Sequence, residues 1–135
     1  MDFSDNAVDL SPRRITPLHE VRDAAKLAAL VESMRADGWV GRPLLVVDYG
    51  DGDGVALTGS HRHAAALVAQ LTAVPVILIP PCERLTIEPS LHGLDVYFDG
   101  QRLHEDEARI AALRELGYAE GVALMEAEFA ARADE

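Results

Sequence analysis

The sequence predicts an α+β domain in which a small mixed β-sheet is flanked by helices. Short apolar runs at residues 43–47, 55–58 and 74–79 are typical of buried strands, and segments with helical spacing of apolar residues alternate with them. The 135 residues suffice for one domain with a single core, and the 49% hydrophobic content is ordinary for a globular protein. We therefore expect one folded unit in which helices cover a sheet.

The N-terminal part is expected to begin with a flexible, polar lead-in at residues 1–14. A short extended segment follows at 14–18. A helix is predicted from about 23 to 37, because apolar residues recur there on one face. Asp23 is the expected cap of this helix, and Gly38 is its expected end.

The turn between the first two predicted strands carries Asp48, Asp51 and Asp53, which invites a metal-binding interpretation. The spacing does not fit a calcium-binding loop, because the twelfth position from Asp51 is Arg62, where a glutamate is needed. Glycine and aspartate also favour tight turns for backbone reasons. We predict a hairpin turn and assign no metal site, with weak Mg²⁺ binding as the alternative.

A C-terminal extension follows the boundary marked by Pro80-Pro81. It is expected to contain a strand at about 94–98 and two helices at about 105–116 and 119–133, which are separated at Gly117. The apolar faces of these helices are expected to pack on the body of the domain or on a partner. The predicted organisation is a lead-in at 1–14, a core at 15–81 and the extension at 82–135.

Charge and cysteine content exclude several function classes. The net charge of −11 disfavours nonspecific binding of duplex DNA by this chain alone, because an acidic protein repels the phosphate backbone at long range. One anionic ligand in a locally basic pocket is compatible with that charge. The single cysteine, Cys82, excludes an intrachain disulfide and a cysteine-based metal site. We expect a cytoplasmic protein without membrane contact, because no apolar stretch suits a membrane span or a signal peptide.

The most informative stretch is Thr58-Gly59-Ser60-His61-Arg62-His63-Ala64-Ala65-Ala66, where a strand ends and a helix, predicted from Ser60 to about Leu71, begins. A helix N-terminus has unpaired N–H groups and a partial positive charge, which suit a bound anion. Arg62 adds a planar fork for phosphate oxygens, and His61 is a candidate for phosphate binding or proton transfer. Ser60 is a candidate nucleophile or, in the simpler interpretation, the helix cap. The stretch predicts either an anion site or a capped helix that meets water.

This stretch resembles the phosphate-binding motif of the ParB/sulfiredoxin superfamily, which reads Gly-x-[His/Arg]-Arg-x-x-Ala at the start of a helix. The resemblance implies the α+β fold of that superfamily and a nucleotide site within about residues 14–80. Four further segments match in the family's order: Leu18-His19-Glu20-Val21, the helix from Lys26 to Met34, Gly41-Arg42-Pro43-Leu44-Leu45-Val46 and Val74-Pro75-Val76.

The resemblance also implies which residues contact the nucleotide. Phosphates would be held by His61, Arg62 and the helix start, while Lys26 would add a charge and Ser33 a hydroxyl contact. The implied cofactor is a nucleotide, ATP or CTP, together with Mg²⁺. The full set of implied nucleotide-binding residues is Lys26, Ser33, Arg42, Pro43, Thr58, Gly59, Ser60, His61 and Arg62.

Ser60 distinguishes this chain from the sulfiredoxins, which have their catalytic cysteine at that position. A hydroxyl cannot form their sulfur-linked intermediate, so reductase activity is not expected. ParB proteins that hydrolyse CTP carry glutamate and arginine where this chain has Ser60 and His61, and the hydroxyl residue at the Ala29 position is also missing. The catalytic residue is left unassigned, with Ser60, His61 and Glu20 as candidates.

The expected function is binding of a nucleoside di- or triphosphate, with NTP hydrolysis or phosphoryl transfer as the reactions it would support. Some relatives phosphorylate small amino acids. The alternative is a non-catalytic nucleotide switch or protein-interaction module that acts through its C-terminal helices on a protein partner or in a homodimer. A further alternative is a ParB-like nuclease or DNA-associated factor. The net charge and the lack of a helix-turn-helix pattern after the core argue against it.

Overall fold

A five-stranded mixed sheet lies at the centre of the computed structural model, which describes residues 3–50, 53–80, 82–91 and 93–133. Its strands are β1 (Val8–Leu10), β2 (Ile15–Pro17), β3 (Leu44–Gly50), β4 (Asp53–Ala56) and β5 (Val74–Ile79). Their order across the sheet is β1-β5-β3-β4-β2. Strands β3 and β5 are parallel, as are β2 and β4, whereas the β1–β5 and β3–β4 pairs are antiparallel.

Helices and a second, three-stranded antiparallel sheet surround the mixed sheet. The helices of the described residues are α1 (Ala24–Asp37), α2 (Ser60–Val68), α3 (Asp106–Glu115) and α4 (Ala119–Ala133). The second sheet comprises β6 (Leu85–Ser90), β7 (Gly93–Phe98) and β8 (Gln101–Arg102). None of these helices combines the length and the apolar character that a crossing of a lipid bilayer requires.

The central strand β3 is buried on both faces, which explains its continuous apolar sequence. Alternate residues face opposite cores, as strand geometry requires. Leu44 and Val46 pack in a cluster with residues of α1 and α2, whereas Leu45 and Val47 pack in another cluster with residues of α3, α4 and the second sheet. The C-terminal helices therefore pack on the core of their own chain.

The predicted α+β class is confirmed, and several elements begin and end where the sequence indicates. In α1, the Asp23 carboxylate accepts a hydrogen bond from the Lys26 N–H at 2.9 Å, and Gly38 ends the helix with a φ of 80°. The helices α3 and α4 lie within one residue of the predicted bounds. Gly117 separates them with a φ of 83°.

Other elements differ from the expectation. Residues 8–10 of the expected lead-in form β1, which pairs with β5 at one edge of the sheet, and Phe3 is buried in the core. Helix α2 ends at Val68 rather than near Leu71, and Gln70 has a left-handed φ of 61° just beyond it. The strand at 85–90 was not predicted, because its outward side chains and Pro89 interrupt the apolar pattern.

The predicted turn at 48–54 is described only in part. Strand β3 continues to Gly50 and β4 begins at Asp53, while Asp51 and Gly52 lie outside the described residues. Among the residues that the structure describes, no three His, Cys, Asp or Glu side chains form a group that could hold a metal ion. The alternative of weak Mg²⁺ binding at Asp51 is therefore outside what the structure addresses.

Replacing an aspartate by alanine should have different effects on stability at the two ends of α1. Asp23→Ala removes the acceptor of the Lys26 N–H and should lower the free energy of unfolding by about 0.5–2 kcal/mol. Asp37→Ala removes the same charge from the exposed last position of α1, where a negative charge opposes the helix dipole. Its effect should be neutral or slightly stabilising. Urea denaturation measures both, and equal losses would show that Asp23 is not a cap.

Candidate functional site

Hydrogen bonds to β3 fix the start of α2. The Leu57 N–H donates to the Leu45 carbonyl at 2.8 Å, and Thr58 Oγ1 accepts from the Leu45 N–H at 3.1 Å. The chain then turns at Gly59, whose φ of 72° and ψ of 38° are left-handed. The interpretation of Ser60 as the cap is wrong, because Gly59 occupies the cap position and Ser60 is already the first helical residue. Among the residues that the structure describes, no side chain makes a capping hydrogen bond to this helix.

The first turn of α2 has donors without acceptors. The first helical hydrogen bond runs from the His63 N–H to the Gly59 carbonyl at 2.8 Å. Within the described residues, the backbone N–H groups of Ser60, His61 and Arg62 have no acceptor. The Nε2 atom of His61 is buried and has no hydrogen-bond partner among the residues that the structure describes. An anion placed at this turn would therefore meet three unsatisfied backbone donors.

The Arg62 side chain is enclosed by other elements and is only 13% exposed. Its Nη1 donates to the Arg42 carbonyl, and its Nη2 donates to Oε1 of Glu128 in α4. The guanidinium carbon lies 5.4 Å from the centroid of the Trp39 ring, which is within the range of cation–π attraction. Arg62 thereby connects the start of α2 with the α1–β3 connection and with α4.

Arg42 shares the same carboxylate. Its Nε and Nη2 atoms each lie 3.4 Å from an oxygen of Glu128. The Glu128 side chain is 15% exposed, whereas that of Arg42 is 36% exposed. Two guanidinium charges thus meet one carboxylate charge in a partly buried cluster, which we call the Arg42–Arg62–Glu128 cluster.

The environment of Arg62 affects its proton affinity in opposing ways. Burial lowers the pKa of Arg62 below its usual value and is the largest effect, Glu128 raises that pKa, and the charge of Arg42 lowers it. An arginine side chain stays charged in spite of such shifts. The cluster therefore carries a permanent positive excess.

His63 has a structural role. Its side chain is 2% exposed, and its Nε2 lies 2.7 Å from the Pro12 carbonyl oxygen. The contact ties α2 to the segment that connects β1 with β2. His63 thus faces away from His61, as the two-residue spacing predicts.

The structure brings together part of the predicted nucleotide-binding set. Arg62 lies next to both Arg42, whose carbonyl accepts from its Nη1, and Gly59, where an added Cβ atom would lie 3.1 Å from its Nη2. Lys26 is exposed in the first turn of α1, and Ser33 is half-buried further along that helix. The remaining predicted residues lie as follows: Pro43 is buried beside β3, Ser60 and His61 are half-buried in the first turn of α2, and Glu20 is exposed between β2 and α1.

Sequence reasoning missed Glu128. It is one of several acidic residues in a helix whose docking surface is set by the tertiary fold. Trp39 is half-buried against one core cluster, and the Arg62 guanidinium lies over its ring. The spacing within the chain gives no signal for either contact.

The left-handed turn predicts that two Gly→Ala substitutions have opposite effects. At Gly59, a Cβ would be strained by the φ of 72° and would lie 2.4 Å from Leu44 Cδ2, so stability should fall by about 1–3 kcal/mol. At Gly121 in α4, a Cβ would make ordinary contacts, the nearest at 3.5 Å to Leu45 Cδ1, and stability should rise by roughly 0.5–1 kcal/mol. Urea unfolding of both variants checks the signs, and a neutral Gly59→Ala would contradict the assigned geometry.

Comparison with solved structures gives distant matches. The chromosome-partitioning protein ParB from Caulobacter crescentus, complexed with CTP-γ-S, is 23% identical with a TM-score of 0.49, and the match covers 57% of this chain and 46% of that one. Sulfiredoxin from Arabidopsis thaliana is 23% identical with a TM-score of 0.47, covering 56% and 85%. A free serine kinase in complex with AMP is 17% identical with a TM-score of 0.48, covering 62% and 35%. This chain spans less than half the length of the partitioning protein and of the kinase.

Comparison with protein families gives a match over most of the chain, whereas no curated protein matches it. The match is to the model of the ParB N-terminal domain and extends over residues 6–92. These residues include the five-stranded sheet, α1, and α2 with its first turn. The chain belongs to the ParB N-terminal domain family.

Proposed function

We propose that the start of α2 binds the phosphate groups of a nucleoside di- or triphosphate. The observation that carries the proposal is the turn at 59–62, where three backbone N–H groups lack acceptors within the described residues and the Arg62 guanidinium lies against Gly59. Unpaired N–H groups and the helix dipole both favour a negative charge at such a turn. Membership of the ParB N-terminal domain family supports the same location, since this turn carries the motif of the resemblance.

The local charge supports an anionic ligand in spite of the net charge of −11. Arg42 and Arg62 outnumber the single carboxylate of Glu128 in their cluster. The partial burial of Arg62 and Glu128 reduces screening by water, so the excess positive charge acts more strongly on a nearby phosphate than a surface charge would. The acidic remainder of the chain disfavours a long polyanion such as DNA but has less effect on one small ligand.

Other contacts of the proposed ligand follow the family pattern. Arg42 and Pro43 would line the rim of the site. Lys26 would add a charge and Ser33 a hydroxyl contact from α1, which shares a core cluster with α2. Thr58 acts through its position, because its hydroxyl oxygen already accepts a backbone N–H of β3. Mg²⁺ would accompany the nucleotide and neutralise part of the phosphate charge.

Binding without a committed reaction is the function that the site supports best. Phosphoryl transfer and NTP hydrolysis need an oriented nucleophile and a base as well as charge neutralisation. Ser60 and His61 lie in the turn itself, whereas Glu20 is exposed in the connection between β2 and α1. No hydrogen bond joins any two of these three candidates in the described part of the chain. A nucleotide-binding switch is therefore the first candidate, and a hydrolase or phosphotransferase using Ser60 or His61 is the second.

Arg62→Ala tests the binding site. With Mg²⁺ present, at least one of ATP, ADP, CTP and GTP should bind the wild-type protein, and Arg62→Ala should weaken that binding at least about tenfold, because a hydrogen bond to a charged group contributes roughly 1.5–3 kcal/mol. Arg114→Ala is the matched control, since it removes the same charge from an exposed side chain that pairs with Glu126 at 3.0 Å. Isothermal titration calorimetry measures the Kd values. Equal weakening in both variants, or no binding to the wild type, would refute the proposed site.

Turnover distinguishes a switch from an enzyme. Phosphate release from ATP and CTP, and formation of a phosphorylated amino acid when small amino acids are added as acceptors, each with Mg²⁺, should equal the rates in buffer alone if the domain is a switch. A rate above buffer that Arg62→Ala abolishes would instead establish the second candidate. Retardation or cleavage of duplex DNA at physiological salt would favour a DNA-associated role over both.

A further inference from the structure

We propose that Glu128 is a built-in competitor for the phosphate site. Its carboxylate pairs with Arg62 in the free protein, and a phosphate group of the ligand must take its place on that guanidinium. Glu128 thus links the C-terminal helix α4 to ligand affinity. This inference rests on the proposed function, and it adds the regulation of that site.

The Arg62 guanidinium already has hydrogen-bond partners in the free protein. The two terminal nitrogens of the guanidinium are engaged, Nη1 with the Arg42 carbonyl and Nη2 with Glu128. The planar fork of an arginine binds carboxylate and phosphate oxygens with the same donors. Each terminal nitrogen also has a second N–H, but a phosphate bound there would lie beside the Glu128 carboxylate in a partly buried site, where like charges repel. Release of Nη2 by Glu128 removes that repulsion and frees the donor for the phosphate.

The ion pair between Arg42 and Glu128 is long and partly exposed to water. Both Arg42 nitrogens lie 3.4 Å from the Glu128 oxygens, at the long end of hydrogen-bond distances, and the Arg42 side chain is 36% exposed. Arg42 is thus able to follow an incoming phosphate or to keep Glu128 after Arg62 has released it. In the second arrangement the displaced carboxylate keeps a positive partner, which keeps the energetic penalty of displacement small.

The packing of α4 limits the movement to its last turns. Leu124 and Met125 are almost fully buried in the core, so the first part of the helix stays in place when Glu128 moves. Phe129, next to Glu128, is 43% exposed. Displacement of Glu128 therefore changes the end of α4 and leaves the fold unchanged. Because coupling between two sites is reciprocal, anything that holds the end of α4 elsewhere should strengthen ligand binding.

Glu128→Gln tests the competition, with Glu126→Gln as the matched control. Both substitutions remove one negative charge from α4, but Glu126 is 54% exposed and pairs with Arg114. Isothermal titration calorimetry with inorganic pyrophosphate, ATP and CTP, each with Mg²⁺, measures the effect. Glu128→Gln should lower Kd by about tenfold, a typical size for coupling between sites, and Glu126→Gln should change it less than about twofold. Equal Kd values for wild type and Glu128→Gln would overturn the inference.

The outcomes separate this inference from the proposed function. If wild type and both variants bind none of the three ligands, nor ADP or GTP, the proposed function fails and this inference fails with it. If the wild type binds and Glu128→Gln does not change Kd, only the inference fails. If Glu128→Gln does not fold, the side-chain carboxyl carbon of Glu128 is followed by NMR in the wild type during a pyrophosphate titration. A shift that saturates with binding supports displacement, and an unchanged resonance at saturation overturns it.

Discussion

The ion pair between Arg62 and Glu128 is the contact on which the rest of the candidate site depends. It joins the start of α2, where the family motif lies, to the last helix of the chain, and the backbone of Arg42 and the ring of Trp39 complete its surroundings. An arginine side chain that is 13% exposed has lost most of its water, and its charge needs other partners. Without a ligand, the protein itself supplies them.

This requirement explains why the C-terminal helix takes part in the site. A partly buried arginine is a good phosphate ligand because water screens its charge poorly, and for the same reason it is costly to leave unpaired. Glu128 satisfies the arginine in the free state, and Leu124 and Met125 hold the helix that positions this carboxylate. The stability of the fold and the affinity for a ligand thus both depend on the Arg62 guanidinium.

The elements that local chemistry determines could be predicted from the sequence. The aspartate before α1 and the glycine after it marked that helix, and the apolar runs of β3 and β5 marked two largely buried strands. The glycine, hydroxyl, histidine and arginine run at 59–62 also marked the start of α2 as the most informative turn. The family expected from that run is confirmed, because its model matches the chain over residues 6–92.

The features that depend on tertiary contacts could not be predicted. Strand β1 is short and partly exposed, and only its pairing with β5 makes it a strand. Gly59 replaced Ser60 as the cap because the chain needs a left-handed residue where the connection from β4 turns into α2 beside Leu44. Glu128 lies 66 residues from Arg62 along the chain, and no local pattern distinguishes it from the other acidic residues of α4.

The central claim is that one guanidinium serves both the protein's own carboxylate and a ligand phosphate. A crystal structure of the wild-type protein saturated with a nucleoside triphosphate and Mg²⁺ tests it most directly. A phosphate oxygen is expected within hydrogen-bond distance of Arg62 at the first turn of α2, with Glu128 moved away from Nη2. A nucleotide bound elsewhere, or one bound at this turn while Arg62 and Glu128 remain paired, would contradict it.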